Sequence, residues 1–138
     1  MTIELLSPSK SWSGQTLDFK TYVPEGTLVK EKVDELKVKT KAGTTIEIEF
    51  TSDGSFKEAS GDAAVSGDIF IPGMKLLSLK EASDALVKLG KLPSGEWNLE
   101  KGFLSDWTYE FEGKDNDRKM EYKLDAKTGQ LLKEEEED

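Results

Sequence analysis

The sequence predicts an α+β protein in which antiparallel β-sheet is packed by one or two helices, arranged as two tandem copies. Three features lead there. Ile46, Ile48 and Phe50 alternate with Glu47 and Glu49, and the same alternation returns at Trp107, Tyr109 and Phe111 and at Met120, Tyr122 and Leu124. That period of two is the mark of strands with one buried and one wet face. A single stretch, residues 78–90, carries both start and stop signals of a helix. Finally, the strand–turn–strand order of residues 36–58 is echoed over residues 107–133.

Taken in order, residues 2–6 alternate weakly and predict a short strand. A loop over residues 7–14 follows and holds Trp12. Leu17 and Phe19 alternate with Asp18 and Lys20, so residues 16–23 read as a strand that Pro24 and Gly26 end. Residues 27–35 read as a short helix, because Leu28, Val29 and Val33 fit helical spacing and Thr27 would cap it. Leu36 and Val38 then alternate with Lys37 and Lys39. Gly43 turns the chain into the Ile46–Phe50 strand, and Asp53-Gly54 turns it again into a strand opened by Phe56. Residues 60–74 are rich in small and polar residues and read as a connector whose apolar tip, Ile69 to Ile71, packs down.

The strongest local signal is Ser78 with Glu81 three positions on, a capping box. Leu79, Ala82, Ala85, Leu86 and Leu89 follow at helical spacing, with Gly90 and Pro93 beyond, so a helix is predicted over residues 79–89. Its apolar stripe requires a sheet face to cover. Strands around Trp97 and Leu99, Trp107 to Phe111 and Met120 to Leu124 come next, with a final short strand after Thr128-Gly129. Glu110, Glu112, Glu121 and Lys123 point to water. The expected organisation is an N-terminal segment (1–26), a degenerate first copy (27–62), a connector (63–77), a clear second copy (78–134) and an acidic tail (135–138), whose like charges predict a frayed, solvated end.

Composition narrows the chemistry. Among 138 residues 36% are apolar and 34% charged, enough for one modest core. Trp97, Phe103, Trp107, Tyr109, Phe111 and Tyr122 concentrate large rings in the second half. The net charge of -9 argues against a nucleic-acid groove or an anionic membrane surface. With no Cys and no His, thiolate chemistry and His-based triads are excluded, as are most zinc sites. No apolar run is long enough to span a bilayer, and residues 1–10 lack the basic region and apolar stretch of a secretory signal.

The capped helix, two long alternating strands, a turn at Asp125-Ala126-Lys127-Thr128-Gly129 and a short last strand resemble the PepSY domain. The most specific stretch runs from Met120 through Tyr122 and Asp125 to Lys133. The resemblance covers residues 78–134 well and residues 27–60 weakly. It implies a small non-enzymatic module of extracytoplasmic setting that restrains peptidases or binds other proteins. A related fold serves a proteinaceous β-lactamase inhibitor, which binds through a sheet face.

The expected function is therefore non-catalytic protein or peptide binding, with peptidase inhibition as its sharper form. The alternative is a structural or accessory module of a cell-envelope system without inhibitory activity. No cofactor is expected. Trp12, Trp97, Tyr109 and Tyr122 are the candidate protein-contacting residues, Trp being enriched at binding hot spots. Of the tryptophans, Trp107 is expected in the core and Trp97 partly exposed. Asp115 and Asp117 sit two apart, but the ligand count and glycine placement of a dedicated calcium loop are missing; Asp62 and Asp68 read the same way. Glu110 and Glu121 on neighbouring strands suggest a glycosidase-like carboxylate pair, against which stands simple cross-strand charge pairing with Lys119 and Lys123.

Overall fold

In a computed structural model that describes residues 19–62, 69–102 and 106–137, ten elements follow one another in a regular order. A helical turn α1 (Phe19–Tyr22) precedes four strands, β1 (Thr27–Lys32), β2 (Glu35–Lys39), β3 (Thr45–Phe50) and β4 (Phe56–Gly61). Helix α2 (Leu79–Lys88) then precedes four more, β5 (Pro93–Lys101), β6 (Trp107–Asp115), β7 (Arg118–Asp125) and β8 (Leu131–Glu136). The doubling seen in the sequence is thus a repeated unit of helix and four-strand meander. All eight strands join one antiparallel sheet in chain order, with β1 and β8 at its edges. The seam between the halves is the β4–β5 pair, in register from Glu58 opposite Glu100 to Gly61 opposite Trp97.

Each β2–β4 turn follows from its residues. Gly43 and Gly54 supply positive φ (92° and 89°), and the flanking Thr40–Thr44 and Thr51–Ser55 backbone pairs close the hairpins at 2.8 Å. In the turn before β8 the Asp125 carboxylate accepts from the amides of Lys127 (2.7 Å) and Thr128 (3.1 Å), an Asx turn that stands in for backbone pairing.

Alternation delivers one apolar face. Leu36, Val38, Ile46, Ile48, Ala59, Leu99, Tyr109, Phe111, Tyr122 and Leu124 are all essentially inaccessible to solvent. In the second half α2 lies over them through Leu79, Ala82 and Leu86. Its capping box is complete: Ser78 Oγ accepts from the Glu81 amide (3.2 Å) and Glu81 Oε1 from the Ser78 amide (2.8 Å). Tyr109 Oη donates to the Leu77 carbonyl (2.7 Å), tying the helix lead-in to β6. In the first half the cover is Tyr22 and Val23 with the returning segment at Ile69 and Ile71, where the Phe70 amide donates to the Tyr22 carbonyl (2.8 Å). Tyr22 meets Phe50 edge-on at 5.8 Å. A single continuous core results.

Four expectations are corrected. Residues 27–35 are not a helix: β1 occupies 27–32 as an edge strand, with Leu28 half-buried and Val29 and Val33 exposed. The spacing that suggested a helical stripe has no second surface to bury it. Within the predicted strand 16–23, residues 19–22 form the α1 turn, closed by the Val23 amide on the Phe19 carbonyl (2.8 Å). Trp97 is buried (2% exposed) and Trp107 only half-buried, the reverse of the sequence reading. Gly61 explains the first, since a β-carbon there would lie 2.4 Å from the Trp97 indole nitrogen; the missing side chain is the slot that Trp97 fills. Trp107, at the start of β6, instead packs on Phe56 at 5.3 Å near the sheet margin. Lastly, residues 134–136 of the acidic run are not frayed but paired to β7, and Lys91 meets Glu134 at 2.7 Å. Trp12, Asp68, Phe103 and the strand expected over residues 2–6 lie outside the described residues.

Candidate functional site: a groove on the outer face of the sheet

The strand residues between the buried ones form the opposite, solvent-facing side, and the register fixes which charges meet there. One cross-strand row reads Glu35, Glu49, Glu58, Glu100, each directly opposite the next across β2 to β5. The neighbouring row reads Lys37, Glu47, Ser60, Asn98, Glu110, Lys123, Lys133. In that row Lys37 faces Glu47 and Glu110 faces Lys123, so charge is locally balanced. A further row places Glu121 between Glu112 and Glu135. Opposite charges across a strand pair contribute a few tenths to about 1 kcal/mol, and like charges oppose folding by a similar amount. Two of these three rows therefore work against the sheet.

Across the second and third of these rows lies an open groove of about 550 Å³. Its charged lining is Glu47, Asp62, Glu96, Glu110, Glu112 and Glu121, against Lys37 alone. Local structure builds it. The β5–β6 register shifts between Pro93 and Trp97, and the Glu112 carboxylate accepts from the Glu96 amide across that irregularity (3.2 Å). Asp62 accepts from the Thr45 amide (3.2 Å), closing the far side. Asn98 sits on the floor, donating Nδ2 to Glu58 (2.8 Å), while its Oδ1 is buried with no hydrogen-bond partner.

The electrostatics agree with the geometry. Partial burial, then the Glu110 charge, pushes the Glu121 carboxyl above its ordinary range. Burial and then Glu58 do the same for Glu49 and Glu100. At the β8 edge the direction reverses, where a hydrogen bond between Lys133 and Glu135 raises the amine and lowers the carboxyl.

The structure relocates the residues singled out from sequence. Trp97, Tyr109 and Tyr122 are core side chains on the inner face; Trp97 tilts on Tyr109 at 6.4 Å, and Tyr109 stacks on Phe111 at 5.7 Å. Being 2%, 0% and 0% exposed, they offer no side-chain surface to a partner. Glu110 pairs with Lys123, as charge pairing anticipates, but Glu121 faces Glu112 and Glu135 rather than a lysine. Asp115 contacts Arg118 (3.4 Å) beside a tight turn at Asn116 and Asp117, both at positive φ. Among the described residues no group of three acidic side chains is placed to hold a metal ion. The glutamate rows and Asn98 were invisible to local reading; only the register assembles them.

Comparison with known proteins bears on the second half. Residues 77–135 match the family model described as the peptidase propeptide and YPEB domain, PepSY. A search of curated proteins finds no significant match. Among solved structures, a crystal structure of a candidate lipoprotein from Clostridium difficile 630 is similar over 84% of this chain and 82% of that one, with 13% identity and a TM-score of 0.42. The matched span begins one residue before the Ser78 cap and ends within β8, taking in α2, β5, β6, β7 and all but the last residue of β8. Residues 77–135 of this chain are accordingly similar to the PepSY domain.

Proposed function

We propose that this chain is a non-catalytic protein- or peptide-binding module that uses the outer face of its sheet, and that a peptidase is the class of partner it restrains. The observation that supports this reading most is the groove itself: a broad, open concavity on a sheet face, rather than a closed pocket around converging acid and base. The PepSY domain's association with peptidase propeptides supports the choice of partner. The groove's ionisable groups are carboxylates and one lysine, in a chain without His or Cys.

The test is a titration of the purified protein against a panel of purified peptidases of different mechanism, read by residual peptidase activity. Saturable inhibition of at least one, lost when bulky residues are placed at Ser60 and Asn98, is the expected result. The absence of both inhibition and binding across the panel would remove the peptidase reading. Turnover of any hydrolase substrate by this chain, abolished by substituting Glu110 or Glu121, would remove the non-catalytic one.

A further inference from the structure

We propose that the outer sheet face receives a lysine- and arginine-rich extended segment of a partner protein, laid in the groove between Glu47 and Glu121. This rests on the binding reading above and names the chemistry of the partner.

Charge complementarity carries it. Six carboxylates and one amine line the groove. The Glu35–Glu49–Glu58–Glu100 row borders it, and Glu112 and Glu121 of the third row lie within it. Outward positions of an antiparallel strand are under no packing demand to be acidic. Lys32 of β1 stands opposite Glu35 at the end of the four-glutamate row and meets it at 3.7 Å. Glu49, Glu58 and Glu100 have no lysine directly opposite, although the same face holds Lys37, Lys123 and Lys133. Rows of directly opposed like charge are a local conflict in the free protein, and such conflicts are expected where a site is kept for a partner. A cationic segment resolves the conflict by supplying the missing countercharge.

The form of the partner follows from two further observations. The acidic groups are spread along the face and no three converge on a point among the described residues, so spaced charges fit and a single multivalent ion does not. Successive same-face positions along a strand lie about 6.8 Å apart, the spacing of alternate side chains in an extended peptide. Basic residues at every second position therefore match successive rows. Asn98 Oδ1, a buried acceptor without a donor, adds a demand for N–H groups, and ammonium and guanidinium only donate.

The experiment uses the ¹⁵N-labelled full chain and three synthetic peptides, alternating Lys-Ser, Glu-Ser and Ala-Ser. Backbone amide shifts and fluorescence anisotropy are followed at low and at physiological salt. The Lys-Ser peptide is expected to bind saturably and to shift Ser60, Asn98, Glu110 and Glu121. Its affinity should fall about tenfold as salt rises, because the contact is electrostatic. Glu110→Gln with Glu121→Gln should weaken it about fivefold, while Glu31→Gln with Asp84→Asn, on other surfaces, should not. Shifts scattered over every acidic surface, or equal loss in the control variant, would reduce the effect to the chain's net charge and overturn the proposal. So would failure of the Lys-Ser peptide to bind. An Ala-Ser peptide binding the groove equally well would also overturn it, while leaving the protein-binding reading, and its peptidase assay, standing.

Discussion

Strands β5–β8 lie beneath a ten-residue helix with its N-terminal capping box complete, whereas β1–β4 lie beneath a four-residue helical turn and the stretch around Ile69 and Ile71. The cores differ in kind as well. The second half is built on Trp97, Tyr109, Phe111 and Tyr122, the first on Leu36, Val38, Ile46, Ile48 and a lone buried ring pair, Tyr22 and Phe50. Aromatic rings each bury a large area, so few are needed under a well-packed helix. Aliphatic residues must be more densely supplied, and the first half supplies them on β2 and β3. The difference shows how one meander can keep its sheet while its helix shrinks to a single turn, provided the neighbouring sheet is continuous with it.

That dependence can be broken at the seam. Trp97→Ala removes the ring that fills the space over Gly61, and should cost about 3–5 kcal/mol. Urea unfolding followed by far-ultraviolet dichroism and by the fluorescence of the two remaining tryptophans, Trp12 and Trp107, should still give one transition. Two separated transitions would show that the halves are independent units. Ser78→Ala tests the better-covered half alone: losing the capping box should cost about 1 kcal/mol, measured by thermal unfolding. A change near zero would mean that packing, not the cap, positions α2.

Two tyrosines sharpen the contrast within the aromatic core. Tyr109 hydrogen-bonds the Leu77 carbonyl, whereas the buried Tyr122 hydroxyl has no partner. Tyr109→Phe should lower stability by about 1 kcal/mol, and Tyr122→Phe should raise it by a similar amount. Opposite signs in matched urea titrations are the expected signature.

The smallest effect concerns the glutamate row that crosses the β4–β5 seam. Glu58→Gln removes the charge that helps to raise both Glu49 and Glu100, and should stabilise the fold by about 0.5 kcal/mol at neutral pH. The sign with pH follows from linkage. Carboxyls whose folded pKa is raised bind more protons folded than unfolded, so stability is lost as pH rises through the window just above the ordinary glutamate value. The gain from Glu58→Gln should therefore be largest near neutrality and fade on acidification. A gain independent of pH would mean that charge is not its source.

Legibility in the sequence tracked the range of the forces involved. Helix α2 was readable because Ser78, Glu81 and Gly90 act within a few residues of one another. Strand β3 was readable because strict alternation leaves one period. Strand β1 was not, since Leu28, Val29 and Val33 satisfy a helical spacing equally well, and an edge strand with one half-buried side chain carries little pattern. Turn α1 was too short to show a helical period. Trp97 was misplaced because its slot is made by Gly61, thirty-six positions earlier, which only strand pairing brings opposite. The groove was hidden for the same reason: alternation put Glu47 and Glu49 on a wet face, but only strand pairing sets Glu49 opposite Glu58 and Glu58 opposite Glu100.

Pairing of β4 with β5 has one more outcome. A protein fragment holding residues 77–135 alone would begin its ribbon at β5 and leave that strand's outer amides and carbonyls bare. Such a border invites docking by any stray extended chain, including a sibling. The upstream meander acts as a built-in selvedge, moving the exposed margin outward to β1, where Lys30 and Lys32 make stitching by a second molecule unwelcome.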